Sequence, residues 1–392
     1  MINSSPKSKL GTANSKTNKT ATSMNAALSN SGKDSANRSC NRAWVSCPRR
    51  ATKKKIKSSF GWLTCPKTHP VVQAAPPFQM SPYLQERVCF VGQKEVYQEA
   101  STTLDELVGV VVSAKQIERV CHHFGPLIEQ AKPAPPSQQA PPAEATPSPQ
   151  EPVYAMADGS MGLTRETGWR EIKLGRLFSA QAHEKGENRN RITASIYTAH
   201  LGHYEAFLSK FEAELAAVPS QRLVLLADGA QWFWEWASQA HPEALQILDY
   251  YHCKGYLCEF AGVYFKDKKQ RTAWIEAQQE RLFDDQVEAV IKTIEGLAHR
   301  GVEDLIARGK ILSYYRNNQG RMLYGSYRRR GLLVGSGPIE AAHRNVIQHR
   351  LKLAGQRWTE QGAQRMANLR VLRKSDRWDN VVELAKARKL AA

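Results

Sequence analysis

The chain has 392 residues, 42% of them hydrophobic, so it can bury a sizeable core spread over about two or three domains. Its net charge of +18 favours nucleic acid or another polyanion as the partner. No apolar run is long enough for a membrane span or a signal peptide, and the seven scattered cysteines predict neither a disulfide framework nor a zinc finger. We therefore expect a cytoplasmic, reducing location and no membrane partner.

The positive charge is concentrated near the start of the chain. Residues 1–70 contain fourteen Lys and Arg and one acid, whereas residues 71–150 contain five bases and eight acids. Residues 1–75 are rich in Ser, Asn, Thr and Lys with almost no apolar periodicity, which predicts a disordered basic tail. The run RRATKKKIK, residues 49–57, fits a nucleic-acid-binding arm and fits a solvated tail equally well.

A helical pattern follows over residues 76–131. Ser81-Pro82 predicts a helix start, STTLDEL a second helix, and Ser113-x-x-Gln116 a capping box that opens a third. Short helices with tight turns favour a small helix-turn-helix-like DNA-binding unit. A plain helical bundle without DNA contact has equal support, because the segment is net acidic. Residues 132–152 are predicted to be a proline-rich extended linker.

The remaining sequence is typical of an α/β domain. VYAMADGS, GWREIKLGRLFSAQ, QRLVLLADGA and LQILDYYH predict strands, and YEAFLSKFEAELAAV predicts an amphipathic helix between the second and third. Strands separated by helices indicate a partly parallel sheet, assigned to residues 153–253. Residues 254–330 are predicted to be a helical insertion. Residues 331–392 are predicted to return to the core as helices, the first beginning at Gly335-Ser336-Gly337-Pro338.

Two of the predicted strands lead into Ala-Asp-Gly, at Asp158 and at Asp228. Ligands bind beyond the carboxyl ends of parallel strands, so these acids are candidates for one site, with Glu340 as a distant third. Clustered carboxylates need cations, and oxygen ligands suit Mg²⁺ or Mn²⁺. Two such ions about 4 Å apart can activate an attacking oxygen and stabilise a leaving oxygen of a phosphodiester. Each Asp-Gly taken alone is also a common turn.

Glu340 lies in a basic segment. Residues 321–374 contain twelve Lys and Arg against Glu340 and Glu360. The side chains predicted to face DNA phosphates near the site are Arg328, Arg329, Arg330, His343, Arg344, Arg350 and Lys352. His252 in Asp-Tyr-Tyr-His has two interpretations, a packed residue at a strand end or a catalytic imidazole at the rim of the site.

The motifs MADGSM, WREIKLGRLF, LLADGAQWFW, ILDYYH and GSGPIEAAHRNVIQHRLKLAGQRW occur in an order that resembles bacterial insertion-sequence DDE transposases of the ISKra type, in the Mutator-like superfamily. The resemblance covers residues 81–378. It implies a ribonuclease-H-like catalytic core with a helical insertion, and a triad of Asp158, Asp228 and Glu340. Asp249 and His252 would match the superfamily's (C/D)-x-x-H signature. A cysteine-rich, zinc-finger-like region that the family carries upstream is not matched by Cys40, Cys47 and Cys65.

The resemblance implies a metal-dependent transposase that acts on double-stranded DNA, at element inverted repeats and at a target, as a homo-oligomer near the nucleoid. Two alternatives remain open. The first is a ribonuclease-H-like nuclease without strand joining, and the second is a decayed copy that acts only as a DNA-binding repressor.

Overall fold

The computed structural model describes residues 52–130, 151–181, 191–218 and 222–386. The first fifty-one residues of the predicted tail and nearly all of the predicted linker lie outside these ranges. No helix in the described ranges is both long and apolar enough to cross a membrane.

The prediction of disorder for residues 1–75 is wrong for the part that is described. Lys53–Ser58 (β1) and Gly61–Pro66 (β2) pair as an antiparallel hairpin, which is followed by the short helix Pro70–Gln73 (α1). The hairpin has its own small core, formed by Ile56, Cys65, Val72 and Ala75. Composition concealed this element because so few apolar residues are needed to hold two short strands.

Three helices follow the hairpin: Pro82–Gly92 (α2), Tyr97–Val108 (α3) and Ala114–Gln130 (α4). Two predicted starts are confirmed, since the Ser81 hydroxyl accepts a hydrogen bond from Leu84 N and the Ser113 hydroxyl accepts one from Gln116 N. Helix α3 begins before STTLDEL, at Tyr97, where the preceding Val96 offers no side-chain cap to signal the start.

The centre of the molecule is a mixed five-stranded sheet, as predicted for an α/β fold. Its strands are Val153–Thr164 (β3), Gly168–Gln181 (β4), Arg191–Leu201 (β5), Leu223–Ala227 (β6) and Leu245–Leu248 (β7). The order is β5-β4-β3-β6-β7, with antiparallel pairing from β5 to β3 and parallel pairing from β3 to β7. Two helices make the crossovers to the parallel strands: Tyr204–Ala216 (α5) and Gln231–Ala240 (α6).

Helices lie on both faces of the sheet. Rings of α5 cover one face, where a Cβ on Gly175 of β4 would lie 2.5 Å from Phe211. The adjacent Arg176 points to the other face and donates a 2.7 Å hydrogen bond to the Pro338 carbonyl. The segment that carries Glu340 is therefore packed on the Arg176 face.

The segment predicted as a helical insertion is helical. It comprises Tyr250–Tyr264 (α7), Lys268–Phe283 (α8), Val287–Glu295 (α9), Val302–Asn318 (α10) and Tyr324–Arg329 (α11). Helix α7 begins at Tyr250, so the predicted strand LQILDYYH ends at Leu248 and its last three residues are the first turn of a helix.

The C-terminal helices join the core to the N-terminal helices. They are Gly337–Ala342 (α12), which continues through a π-helical turn at His343–Gln348, then Glu360–Lys374 (α13) and Asp379–Lys386 (α14). Asn368 of α13 donates to the Gly125 carbonyl of α4, and the Trp378 indole donates to Glu86 of α2. Residues 76–130 are therefore packed onto the C-terminal helices, whereas DNA contact by them stays a prediction.

Candidate functional site

Three aspartates occupy equivalent positions on the three parallel strands. Val153 pairs with Leu223, and Val224 pairs with Leu245. Paired residues of β3 and β6 differ by 70 in number, as do Asp158 and Asp228. Paired residues of β6 and β7 differ by 21, as do Asp228 and Asp249. Continued along the strands, this register puts the three aspartates side by side. Neighbouring strands lie about 4.8 Å apart. The acids therefore form a row at the carboxyl edge of β6 and β7.

The strand that carries Asp158 continues past the site. β3 does not end at its Ala-Asp-Gly but extends to Thr164 by pairing with β4, where Asp158 is opposite Leu174. Its pairing with β6 stops at Met156. Asp158 thus lies where the sheet narrows, with part of its side chain open to solvent.

Gly229 is required where the chain leaves β6. Its φ of +109° is unfavourable for other residues, and a Cβ there would lie 2.8 Å from the ring of Tyr314. The Tyr314 hydroxyl donates a 2.6 Å hydrogen bond to the Asp228 carbonyl. Helix α10 of the insertion thereby fixes the backbone of the second aspartate, a role that its sequence did not reveal.

The charges of Asp228 and Glu340 both act on Asp158. Burial raises the pKa of Asp158 to about 6, and the negative charge of Asp228 is the next largest cause. Glu171 and Glu340 raise the pKa further, against a lowering effect of the Gly159 N–H group, which donates to Asp158 Oδ1 at 2.6 Å. Excess negative charge of this kind is stabilised by a bound cation.

Asp249 positions the turn from which Glu340 projects. Its carboxylate is 3% exposed and caps α7 by accepting from the backbone N–H groups of Tyr251 and His252. It also accepts from the N–H and the hydroxyl of Ser336, at 3.0 and 2.9 Å. Asp249 is thus a positioning residue that holds the start of α12 against β7.

The Ser336 hydroxyl lies between two carboxylates. It is 2.9 Å from Asp249 Oδ2 and 3.0 Å from Glu340 Oε1. A hydroxyl has one hydrogen, so it can donate to one of them at a time. Glu340 therefore shares this donor with the buried Asp249.

The residue types at the site suit Mg²⁺ or Mn²⁺, but their side chains are not arranged around a metal position. Asp158, Asp228 and Glu340 offer carboxylate oxygens alone, the set that these ions prefer. Within the described ranges, however, no three His, Cys, Asp or Glu side chains are arranged to hold a metal ion. Each carboxylate is instead held by a local donor: Gly159 N, Ala230 N at 3.2 Å, and the Ser336 hydroxyl. Metal binding would therefore require side-chain rotations that exchange these hydrogen bonds.

His343 was predicted to face DNA, but in the structure it lies beside Asp158 of the carboxylate site. The imidazole is 3% exposed, and Nε2 lies 3.6 Å from Asp158 Oδ2. Burial lowers the pKa of His343 to about 4, although the Asp158 backbone acts to raise it. Neither ring nitrogen makes a well-formed hydrogen bond within the described part of the chain. A neutral imidazole buried here cannot reach a phosphate on the protein surface.

His252 lies at the rim of the site. Its side chain is exposed on the first turn of α7, and its ring centroid is 5.5 Å from that of Tyr256 and 6.0 Å from that of Tyr314. Tyr314 in turn holds the Asp228 backbone. Exposure disfavours the interpretation of His252 as a packed strand-end residue, and its catalytic role stays a prediction.

The predicted DNA-facing arginines fall into separate groups. Arg328, Arg329 and Arg330 are exposed, but Arg330 lines an open cavity of about 500 Å³ beside Leu245, the first residue of β7. Arg330 therefore lies toward the end of the sheet opposite the carboxylates. Arg328 does not, because its guanidinium lies 4.7 Å from the centroid of the Phe283 ring, which packs against Tyr250 beside Asp249. Arg344 and Lys352 are exposed on the segment that follows Glu340.

The prediction that Arg350 contacts DNA is wrong, because this residue is buried. Its side chain is 1% exposed, donates to the Gly92 carbonyl at 3.1 Å, and lies under the rings of Tyr97 and Trp358, 4.8 and 4.9 Å from their centroids. A guanidinium enclosed in this way joins the C-terminal segment to α2 and α3 and does not face DNA.

No family model matches the chain, and no curated protein matches it either.

Replacing Asp158 by Asn should stabilise the metal-free protein near pH 7 by up to about 1 kcal/mol, a value reduced for solvent screening because the side chain is 36% exposed. The pKa of Asp158 in the folded state, about 6, exceeds the ordinary value of 3.8. Between these two values the folded state binds more protons than the unfolded state. Above them the ionised carboxylate destabilises the folded state. The advantage of the variant should therefore shrink as the pH falls from about 7 to about 4. Urea unfolding across this range measures it, and a wild type that is the more stable at neutral pH would contradict it.

Replacing Asp249 by Ala should lower the unfolding free energy by about 2 kcal/mol, because a buried cap with four hydrogen bonds is lost. Asp267 provides a matched control, since it caps the neighbouring helix α8 through one hydrogen bond to Gln270 N and is exposed. Its replacement by Ala should cost about 1 kcal/mol or less. Equal losses in thermal or urea unfolding would contradict the positioning role of Asp249.

Proposed function

We propose that the chain is a metal-dependent DNA-processing enzyme, a DDE transposase that cleaves the ends of an insertion sequence and joins them to target DNA. The observation that supports the proposal is the register that aligns Asp158 with Asp228, together with the pKa of Asp158, which is raised by burial and then by the charges of Asp228 and Glu340.

The architecture supports a ribonuclease-H-like core. Three antiparallel strands followed by two parallel strands put the first two acids on adjacent parallel strands. The helices from α7 to α11 separate the second Asp from Glu340, as the resemblance to ISKra-type transposases implies. Helix α12 then returns to the sheet face from which Arg176 reaches Pro338.

In the proposed mechanism, Asp158, Asp228 and Glu340 would hold two Mg²⁺ or Mn²⁺ ions. Bound there, the ions supply charge stabilisation for the attacking and leaving oxygens of a phosphodiester. Asp249 and Ser336 orient Glu340, and Tyr314 fixes the Asp228 backbone. His252 would hydrogen-bond a phosphate at the rim of the site.

DNA would approach along the exposed surface that bears Arg344 and Lys352, because these bases follow Glu340 and their side chains are open to solvent. Non-specific affinity would come from such contacts and would fall with rising salt. A homo-oligomer on DNA and a bacterial cytoplasmic location are part of the same proposal.

The test is incubation of the purified chain with Mg²⁺ or Mn²⁺ and a duplex that carries the repeats flanking its reading frame. Transposase activity predicts cleavage at the repeat ends and joined products with a second, target plasmid. Cleavage without joined products would favour the ribonuclease-H-like nuclease. Specific binding without cleavage in either metal would favour a DNA-binding repressor and contradict the proposed enzyme.

A further inference from the structure

The hairpin of β1 and β2 has one lysine-rich face. Its register pairs Lys53 with Pro66, Lys55 with Thr64 and Lys57 with Trp62. Directly opposed residues of antiparallel strands project to the same side, as do residues two apart along a strand. Lys53, Lys55, Lys57 and Trp62 therefore share one face, while Ile56 and Cys65 occupy the other, which faces the small core.

The hairpin also exposes two aromatic rings. The Trp62 side chain is 62% exposed and that of Phe60, in the turn, is 63% exposed. The Lys57 ammonium lies 5.9 Å from the centroid of the Trp62 ring. Lysines alone are a common device for protecting the edge of a two-stranded sheet. That device does not account for two large aromatic rings left in water beside the lysines.

The hairpin is fixed to the body of the protein. Lys57 exchanges backbone hydrogen bonds with the segment before α2, to the Gln79 carbonyl at 2.9 Å and from Ser81 N at 2.8 Å. Its ammonium also donates to the Val111 carbonyl, which precedes α4. A ligand bound to this face would therefore be held in a defined position relative to the helices.

The hairpin and those helices carry opposite net charges. Residues 52–75 contain five lysines and no acid, whereas residues 76–131 contain four bases and seven acids. A polyanion would thus be attracted to the hairpin and repelled by the exposed surface of α2, α3 and α4. Exposed rings beside lysines match the surfaces on which unpaired bases stack while cations meet the phosphates.

We propose that the lysine-rich face of the hairpin, formed by Lys53, Lys55, Lys57 and Trp62, together with Phe60 of the adjoining turn, binds single-stranded DNA by stacking bases on the two rings. A duplex hides the faces of its bases, so the rings would add nothing to duplex binding. The choice of DNA over RNA rests on the proposed function, whereas the stacking and the charge do not. Binding at this face is independent of whether the carboxylates cleave DNA.

The test is fluorescence anisotropy with fluorescein-labelled oligothymidine and the intact chain, in a metal-free buffer, over a series of salt concentrations. Trp62→Ala and Phe60→Ala should each weaken binding about fivefold or more without changing the salt dependence, and Trp62→Phe should retain most of the affinity. The double variant Lys53→Gln/Lys55→Gln should reduce the slope of log K against log salt by about 1.4, because two phosphate contacts are lost.

The control for net charge is Lys268→Gln/Lys269→Gln, at two exposed lysines that begin α8. This variant should leave the slope unchanged. Aromatic variants that keep full affinity and the wild-type melting temperature would overturn the stacking surface, as would equal losses for the labelled duplex. Tighter binding of oligouridine than of oligothymidine would overturn the assignment to DNA. Because no metal is present, failure of the proposed cleavage activity would leave each of these results unaffected.

Discussion

Glu340→Gln should abolish metal-dependent DNA cleavage, with a loss of at least about a thousandfold, while DNA affinity stays within about twofold of wild type. Gln keeps the size of the side chain and its contact with the Ser336 hydroxyl, so the fold should be retained. It removes the charge that a divalent cation needs. Asp158→Asn and Asp228→Asn should behave in the same way, because all three carboxylates are proposed to hold the same ions.

Glu360→Gln is the matched control, since Glu360 is the other acid of the basic segment at residues 321–374. It begins α13 and is paired with Arg170 and Thr167 away from the aspartate row. Its replacement should leave cleavage nearly unchanged. Cleavage by Glu340→Gln at the wild-type rate, measured on the same duplex, would exclude Glu340 from the site.

Arg350→Ala should lower the unfolding free energy by about 3 kcal/mol without a specific effect on DNA binding. The side chain fills the space between Tyr97 and Trp358, and its removal leaves a cavity between the C-terminal segment and α3. Arg350→Met should restore most of the stability, because the packing of the long side chain stabilises this contact more than a buried charge does. Urea unfolding of the three proteins measures the effect.

Arg344 is the control for Arg350, because it lies six residues earlier and is exposed. Arg344→Ala should change the unfolding free energy by less than about 0.5 kcal/mol and should weaken DNA binding with a reduced salt slope. The opposite assignment, in which Arg350→Met flattens the salt slope and Arg344→Ala does not, would contradict the positions of the two side chains.

Sequence patterns indicated a partly parallel sheet and its main strands because those strands are apolar runs bounded by turns. They did not reveal β5, Arg191–Leu201, in which apolar and polar residues do not alternate cleanly. Its backbone at Leu201 and Tyr197 donates to Gln364 and Ser375 of the C-terminal region. Contacts of such long range leave no local signal.

The two aspartates became candidates because they follow apolar strands, and Glu340 because it is an acid after a glycine-rich turn in a basic segment. Their supports were harder to find, since Ser336 belongs to an ordinary helix-start turn and Tyr314 to a helix more than eighty residues beyond Asp228. The basic segment was misleading in part, because Arg350 and Arg370 are buried and satisfy backbone carbonyls. A count of charges does not distinguish a guanidinium that joins two helices from one that faces DNA.

The central claim is that Asp158, Asp228 and Glu340 share divalent cations. A crystal structure of the protein with Mn²⁺, in which anomalous scattering locates the metal, tests it most directly. The account predicts manganese between these three carboxylates, with Glu340 withdrawn from the Ser336 hydroxyl and Asp249 still capping α7. Manganese bound elsewhere, or a site in which Glu340 keeps its contact with Ser336 and no metal is bound, would contradict the account.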